Sequence, residues 1–144
     1  MSRLRTIAFA MKNRLEEVPE LKGKVVVFRR ADIESQFETR MGKTRGRCVV
    51  IRLIRGKNTS PNKLKARFAG TYTVTLFTVP LLTQKDGEDA DDLMQAIIDQ
   101  LHGWWPDNVP SNGTIWCNTD SLTFPEDPAY DIASLLVEAP RTSN

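Results

Sequence analysis

An amphipathic segment with a clear end constrains the fold of this chain more than any other feature. Between Glu88 and Leu101 the apolar residues recur three and four positions apart, which places them on one stripe of an α-helix. Gly103 and Pro106 mark its end, because glycine adopts the left-handed backbone of a helix C-cap and proline cannot continue a helix. The sequence therefore predicts a helix with a sheet beneath it. The apolar stripe consists of Ala90, Leu93, Met94, Ile97, Ile98 and Leu101.

The remaining periodicity predicts one further helix and a set of strands. The helix is expected at 2–18, closed by Pro19, and the strands at 24–28, 47–55, 66–80, 114–124 and 130–137, with a bulge or break near 118–120. Residues 31–42 fit a weak helix or an ordered loop. Residues 130–137 also fit a helical turn, but their hairpin-like spacing favours a strand. This order predicts an α+β fold, in which a mostly antiparallel sheet of about five strands carries two main helices on one face.

A length of 144 residues indicates a single domain that spans 1–144. A polar stretch without periodicity predicts a mobile basic loop around 56–67, and residues 138–144 are expected to fray. No apolar run approaches the roughly 18 residues that span a bilayer, so we expect no membrane contact and assembly in the cytoplasm. Cys48 and Cys117 each lie in a strand-like run without a second Cys or His nearby, which predicts buried free thiols.

The charged residues are divided along the chain. Residues 1–38 hold 8 basic and 6 acidic side chains, residues 39–85 hold 11 basic and none acidic, and residues 86–144 hold 1 basic and 12 acidic. The formal net charge of +2 therefore conceals a basic middle segment joined to an acidic C-terminal part.

No stretch of the sequence reads as an active site. His102 is the single histidine, and its place in the last turn of the predicted helix suits a cation or donor near the terminal carbonyls. No nucleophile elbow, catalytic cysteine signature or glycine-rich phosphate loop is present. The acidic residues that begin the helix suit its dipole, and their spacing does not support a metal-binding loop. The sequence therefore predicts a non-enzymatic protein without a cofactor or a bound metal.

The basic middle segment is the best candidate for a functional surface. Ten Arg and Lys residues fall between Arg40 and Arg67 without an acidic residue among them. One interpretation is contact with nucleic acid, since phosphates favour such a patch, although the stretch holds no aromatic residue for base stacking. A second is an interface with the acidic part of another copy, because head-to-tail contacts of this kind can close into rings. A third is a solvated basic loop.

The adjacent residues Trp104 and Trp105 are a second candidate. Two neighbouring tryptophans cannot easily both point inward, so one of them is expected at an interface or under a loop. The candidate interface residues are Arg40, Arg47, Arg52, Arg55, Lys57, Lys63, Lys65 and Arg67 in the basic segment, together with Asp89, Asp92, Trp104 and Trp105.

Three short motifs give the sequence a family resemblance. The predicted first helix runs into Glu-Val-Pro-Glu-Leu-Lys-Gly and a valine-rich strand, a later strand reads Tyr-Thr-Val-Thr-Leu, and the acidic-start helix ends Leu-His-Gly-Trp-Trp-Pro-Asp. In this order the motifs resemble the tail terminator and tail completion proteins of long-tailed bacteriophages and prophages. The resemblance covers residues 4–137 and carries no catalytic residues, because the family is structural.

The resemblance implies an α+β subunit of a hexameric ring that caps the tail tube, stops its polymerisation and offers a docking face to the head. The implied partners are further copies of the chain, the tail tube protein and the head–tail connector protein, with a passing contact to DNA in the pore. The implied location is the virion tail, assembled in the host bacterial cytoplasm. A head–tail connector or head-completion protein is the alternative within this class. A nucleic-acid-binding module that uses residues 40–67 is the alternative from another class.

Overall fold

The computed structural model describes residues 3–27, 46–58, 68–78, 90–107, 109, 113–128 and 130–140. Its elements are α1 (Arg3–Leu15), a 3-10 turn (Pro19–Leu21), β1 (Val25–Val27), β2 (Arg47–Asn58), β3 (Phe68–Thr78), α2 (Ala90–Leu101), β4 (Trp116–Thr123) and β5 (Asp131–Ala139). The element predicted at 31–42 and the predicted basic loop from residue 59 onward lie outside the described residues.

The strands form one five-stranded sheet in the order β1-β2-β3-β5-β4. β1 pairs with β2 in parallel, and the other three neighbouring pairs are antiparallel. The predicted α+β class and the mostly antiparallel sheet are therefore confirmed. The strand predicted at 130–137 is confirmed as β5, which pairs with β3 on one side and β4 on the other.

Both described helices pack on one face of this sheet. Alternate residues of β2, β3 and β5, among them Ile51, Val74 and Leu135, are buried in one cluster with side chains of both helices. Residues at every second position of a strand share a face, so this cluster defines the helical face of the sheet. The helix residues buried there are Ile7, Ala8, Met11 and Leu15 of α1, and Ala90, Leu93, Met94, Ile97 and Leu101 of α2, with Ile98 partly buried beside them. The predicted stripe of α2 is confirmed.

A second, smaller cluster lies on the opposite face of the sheet, which we call the second face. Val26, Cys48 and Val50 are buried there, and Phe77 and Tyr130 pack against them. Cys48 on this face and Cys117 on the helical face are both buried free thiols, as predicted.

The N-terminal end of α1 is fixed to β3 by a hydrogen bond and a close approach. The Tyr72 hydroxyl donates to the Leu4 carbonyl oxygen at 2.5 Å. A Cβ atom added at Gly70 would lie 2.9 Å from the Leu4 side chain and 2.9 Å from the Tyr72 ring. Glycine at position 70 therefore lets α1 approach the sheet.

Two strands extend further than the sequence predicts. β2 continues through Gly56, Lys57 and Asn58, which pair with β3, so the predicted loop does not begin at residue 56. β5 continues through Glu138 and Ala139, so these residues are not part of a frayed end. These residues are in strands because their backbones hydrogen-bond to the neighbouring strand. Backbone pairing does not require alternating apolar side chains, so the sequence pattern does not reveal it.

Candidate interface surfaces

A β-bulge brings two of the predicted basic residues to one face of the sheet. In the β2–β3 ladder Leu53 lies opposite Tyr72 and Arg55 lies opposite Thr71, so Ile54 is an extra residue without a partner. Arg52 lies opposite Thr73. Directly opposite residues of a ladder share a face, and Thr71 and Thr73 are two positions apart, so Arg52 and Arg55 both lie on the second face.

These two arginines differ in their exposure, and both lack an ion-pair partner within the described ranges. Arg52 is half-buried and Arg55 is exposed, and neither forms an ion pair with another described residue. Between them, Leu53 and Ile54 leave 39% and 45% of their surface exposed. We call the four residues 52–55 the arginine bulge. It presents two cations on the second face and the exposed Ile54 side chain at the bulge, whereas Leu53, which lies opposite Tyr72, belongs to the helical face.

The other predicted basic residues do not all join this surface. Arg47 begins β2 and lies opposite Thr78, which is buried on the helical face, so Arg47 is at the other end of the strand and on the other face. Lys57 pairs with Ala69 through the backbone, at a position that belongs to the second face. Arg40, Lys63, Lys65 and Arg67 lie outside the described residues. The basic residues of β2 therefore lie in two different regions of the sheet, with Arg47 in one and Arg52 and Arg55 in the other.

The exposed side of α2 is acidic. Asp91, Asp92 and Asp99 lie on its solvent side, and the Gln95 side chain donates to Asp99 Oδ1 at 2.9 Å. The predicted candidate Asp92 is therefore exposed, and Asp89 lies outside the described residues. The sequence of α2 contains no basic residue, so this side of the helix is negative throughout.

A second acidic region lies where α2 begins beside the β4–β5 connection. A cleft of about 940 Å³ is lined there by Asp91, Glu126, Asp127 and Asp131 and by the rings of Phe124 and Tyr130, and we call it the acidic cleft. Phe124 leaves 53% of its surface exposed. The sequence analysis did not select these residues. A signal was nevertheless present, because Phe124 is a large apolar residue beside a Pro-containing turn, where side chains are usually exposed, and an exposed apolar residue can mark a binding surface.

The two predicted tryptophans are both held by local contacts. Trp105 Nε1 donates to the Val109 carbonyl oxygen at 2.6 Å. The Arg14 guanidinium lies 5.4 Å from the centre of the Trp104 ring. Both rings are partly buried against the main cluster. The tryptophan with the most exposed surface is instead Trp116, at 59%.

His102 accepts a hydrogen bond, which corrects its predicted role as a cation or donor near the helix carbonyls. Its Nδ1 accepts the backbone N–H of Cys117 at 3.1 Å, so this nitrogen carries no proton. Its ring meets the Trp116 ring edge-on, with centroids 4.8 Å apart. The predicted C-cap is confirmed, since Gly103 has a φ of 79°. The imidazole thus provides an acceptor for the Cys117 N–H on the outer edge of β4. Unpaired N–H groups on such an edge can otherwise pair with a strand of another chain.

The acidic cleft and the arginine bulge lie at opposite ends of the sheet. Asp131 begins β5, whereas Leu136 and Glu138 near its other end lie in the same cross-strand rows as Arg52 and Arg55. At about 3.3 Å per strand residue, the two surfaces are roughly 17 to 23 Å apart along the strands. The arginines of one molecule therefore do not reach the acidic cleft of the same molecule.

The described residues offer neither a metal site nor a membrane-spanning helix. Among them, no group of three or more His, Cys, Asp or Glu side chains is placed to hold a metal ion. No helix within the described ranges is long and apolar enough to cross a membrane. Comparison with protein-family models finds none that matches the chain, and comparison with curated proteins finds no match either.

Proposed function

We propose that this chain is a structural subunit of a phage tail, a tail terminator that assembles into a ring on the end of the tail tube. The observation that carries the proposal is the separation of its charged surfaces. The arginine bulge lies on the second face at one end of the sheet, and the acidic surfaces of α2 and of the cleft lie elsewhere. The resemblance of the chain's motifs to tail terminator proteins supports the same reading.

Separated surfaces of opposite charge favour a head-to-tail contact between copies. Such a contact leaves one unused basic surface and one unused acidic surface on every growing assembly. Subunits therefore continue to add, and the assembly either closes into a ring or grows as an open filament. A hexameric ring is the form that the resemblance implies, and complementary charge would set the register between neighbouring subunits.

The proposed mechanism is steric and interfacial, and it uses no catalytic residue. A ring bound to the last layer of tube subunits occupies the surface on which the next layer would add. Its outward side then offers the head–tail connector a different surface. DNA contact in this mechanism is limited to passage through the pore.

Tube capping by charge-reversed chains tests this function. We expect the wild-type chain to shorten tubes grown from purified tail tube protein, and Arg52→Glu/Arg55→Glu to leave tube length unchanged, as measured by negative-stain electron microscopy. The matched control is Lys12→Glu/Lys22→Glu, which makes the same change of net charge on α1 and in the turn that follows it. If the bulge variant caps tubes as well as the control does, the proposed contact is wrong.

The two alternatives predict different binding partners. A head–tail connector or head-completion protein would bind portal protein rather than tube protein in a pull-down. A nucleic-acid-binding module would bind duplex DNA at near-physiological ionic strength, with an affinity that falls steeply as salt rises. Either result, together with unshortened tubes, would replace the terminator assignment.

A further inference from the structure

We propose that the acidic cleft is the surface that receives the arginine bulge of a second copy of this chain. This inference rests on the proposed function, because it names the contact from which the ring would be built. The occupant is residues 52–55 of the neighbouring molecule.

The chemistry of the acidic cleft suits a cationic and partly apolar occupant. The carboxylates of Asp91, Glu126 and Asp131 are on exposed residues, and none of the described residues that line the cleft is basic. Phe124 offers an exposed aromatic ring beside them. Guanidinium groups bind carboxylates through paired hydrogen bonds and also stack on aromatic faces, so both kinds of lining group favour arginine.

The arginine bulge matches this lining in both respects. Arg52 and Arg55 supply two guanidinium groups on one face of the sheet. Ile54, the unpartnered residue at the bulge, supplies exposed apolar surface next to Arg55, and Phe124 supplies exposed apolar surface in the cleft. Burial of such surfaces against each other adds a favourable contribution that charge alone does not provide.

The acidic side of α2 is a poorer match for the same occupant. Its exposed positions are the polar residues Asp91, Asp92, Gln95 and Asp99, which offer no apolar surface to Ile54. Asp99 also accepts a hydrogen bond from Gln95 within the helix. Charge complementarity allows either acidic surface, and apolar complementarity selects the cleft.

Charge reversal on each side, followed by mixing, tests the inference. The cleft variant is Glu126→Lys/Asp131→Lys, and its control is Asp92→Lys/Asp99→Lys, which makes the same change of net charge on the outer side of α2. Each is compared with the wild-type chain by analytical ultracentrifugation, after circular dichroism has verified folding. We expect the cleft variant to need at least about tenfold more protein to assemble, and the α2 control to assemble like wild type.

The cleft variant is then mixed with Arg52→Glu/Arg55→Glu. In the mixture each contact again joins opposite charges, so we expect assemblies of alternating subunits that neither variant forms alone. If the cleft variant assembles like wild type while the α2 variant does not, or if only the α2 variant is rescued by mixing, the cleft assignment is overturned and the proposed ring stands. A wild-type chain that stays monomeric at every concentration would overturn both.

Discussion

Arg55 lies directly opposite Thr71 in the β2–β3 ladder, although the preceding residue, Ile54, has no partner on β3. The ladder is therefore in register on both sides of the bulge. Deletion of Ile54 should preserve every existing pair and change the free energy of unfolding by less than about 1 kcal/mol, because the side chain is substantially exposed. Urea denaturation measures this quantity.

Deletion of Val50 is the matched control for this prediction. It removes a paired residue from the same strand, so all residues on one side of it must slip by one position. Such a slip turns apolar residues to the wrong face of the sheet, and we expect the chain to unfold or lose most of its stability. Equal losses in the two deletions would contradict the assignment of Ile54 as the extra residue.

The approach of α1 to the sheet should depend on the absence of a side chain at position 70. We expect Gly70→Ala to lower the free energy of unfolding by about 1–3 kcal/mol, because its Cβ would lie too close to Leu4 and Tyr72. Leu4→Ala removes one of the two obstructing groups, so Gly70→Ala should cost less in that background. Additive losses in the double variant would show that the Leu4 contact is not the cause.

The imidazole of His102 should protect the edge of β4. We expect His102→Ala to lower the free energy of unfolding by roughly 1–2 kcal/mol, because the Cys117 N–H loses its acceptor. Hydrogen exchange at the Cys117 amide should become faster in that variant. His102→Asn retains a short side chain with an acceptor oxygen and should recover part of the protection. Unchanged exchange in His102→Ala would show that the bond does not protect this amide.

Stability should fall at high pH in a way that depends on Cys117. Burial raises the pKa of the Cys117 thiol from 9.0 to about 11, so the unfolded chain loses this proton first as pH rises. The free energy of unfolding therefore decreases between pH 9.0 and 11. Burial also raises the pKa of Tyr72, which adds to the loss above about pH 10.

Cys117→Ala isolates the contribution of the thiol. We expect its free energy of unfolding, measured by urea denaturation at several pH values, to fall less steeply than that of the wild-type chain over this range. Two profiles that run parallel would mean that the thiol ionises alike in the folded and unfolded chains.

Local patterns predicted the elements of this fold well. Helical spacing identified the buried stripe of α2, and β-rich runs identified β3 and β5. The order of strands in the sheet was not predictable, because pairing between β3 and β5 depends on contacts between residues far apart in sequence. The ends of β2 and β5 were missed for the same reason.

The candidate surfaces were predictable only in part. The sequence grouped Arg47 with Arg52 and Arg55 because they are neighbours along the chain. In the sheet, Arg47 lies at the other end of β2 and on the helical face, whereas the bulge at Ile54 brings Arg55 to the second face with Arg52. The sequence favoured Trp104 and Trp105 rather than Trp116 as interface candidates. Its neighbours Ile115 and Cys117 are buried, so alternation along a strand was the signal that pointed to its exposure. The number of charged residues along the sequence does not show which of them lie on the same face of the sheet, because that depends on how the strands pair.

Light scattering of the wild-type chain tests the central claim most directly. A subunit that assembles head to tail through opposite charges should form a closed hexamer of 16.3 kDa chains at low salt. Its mass should fall toward that of the monomer as added salt screens the contacts. A constant mass of 16.3 kDa at every protein concentration and ionic strength would contradict the proposed ring.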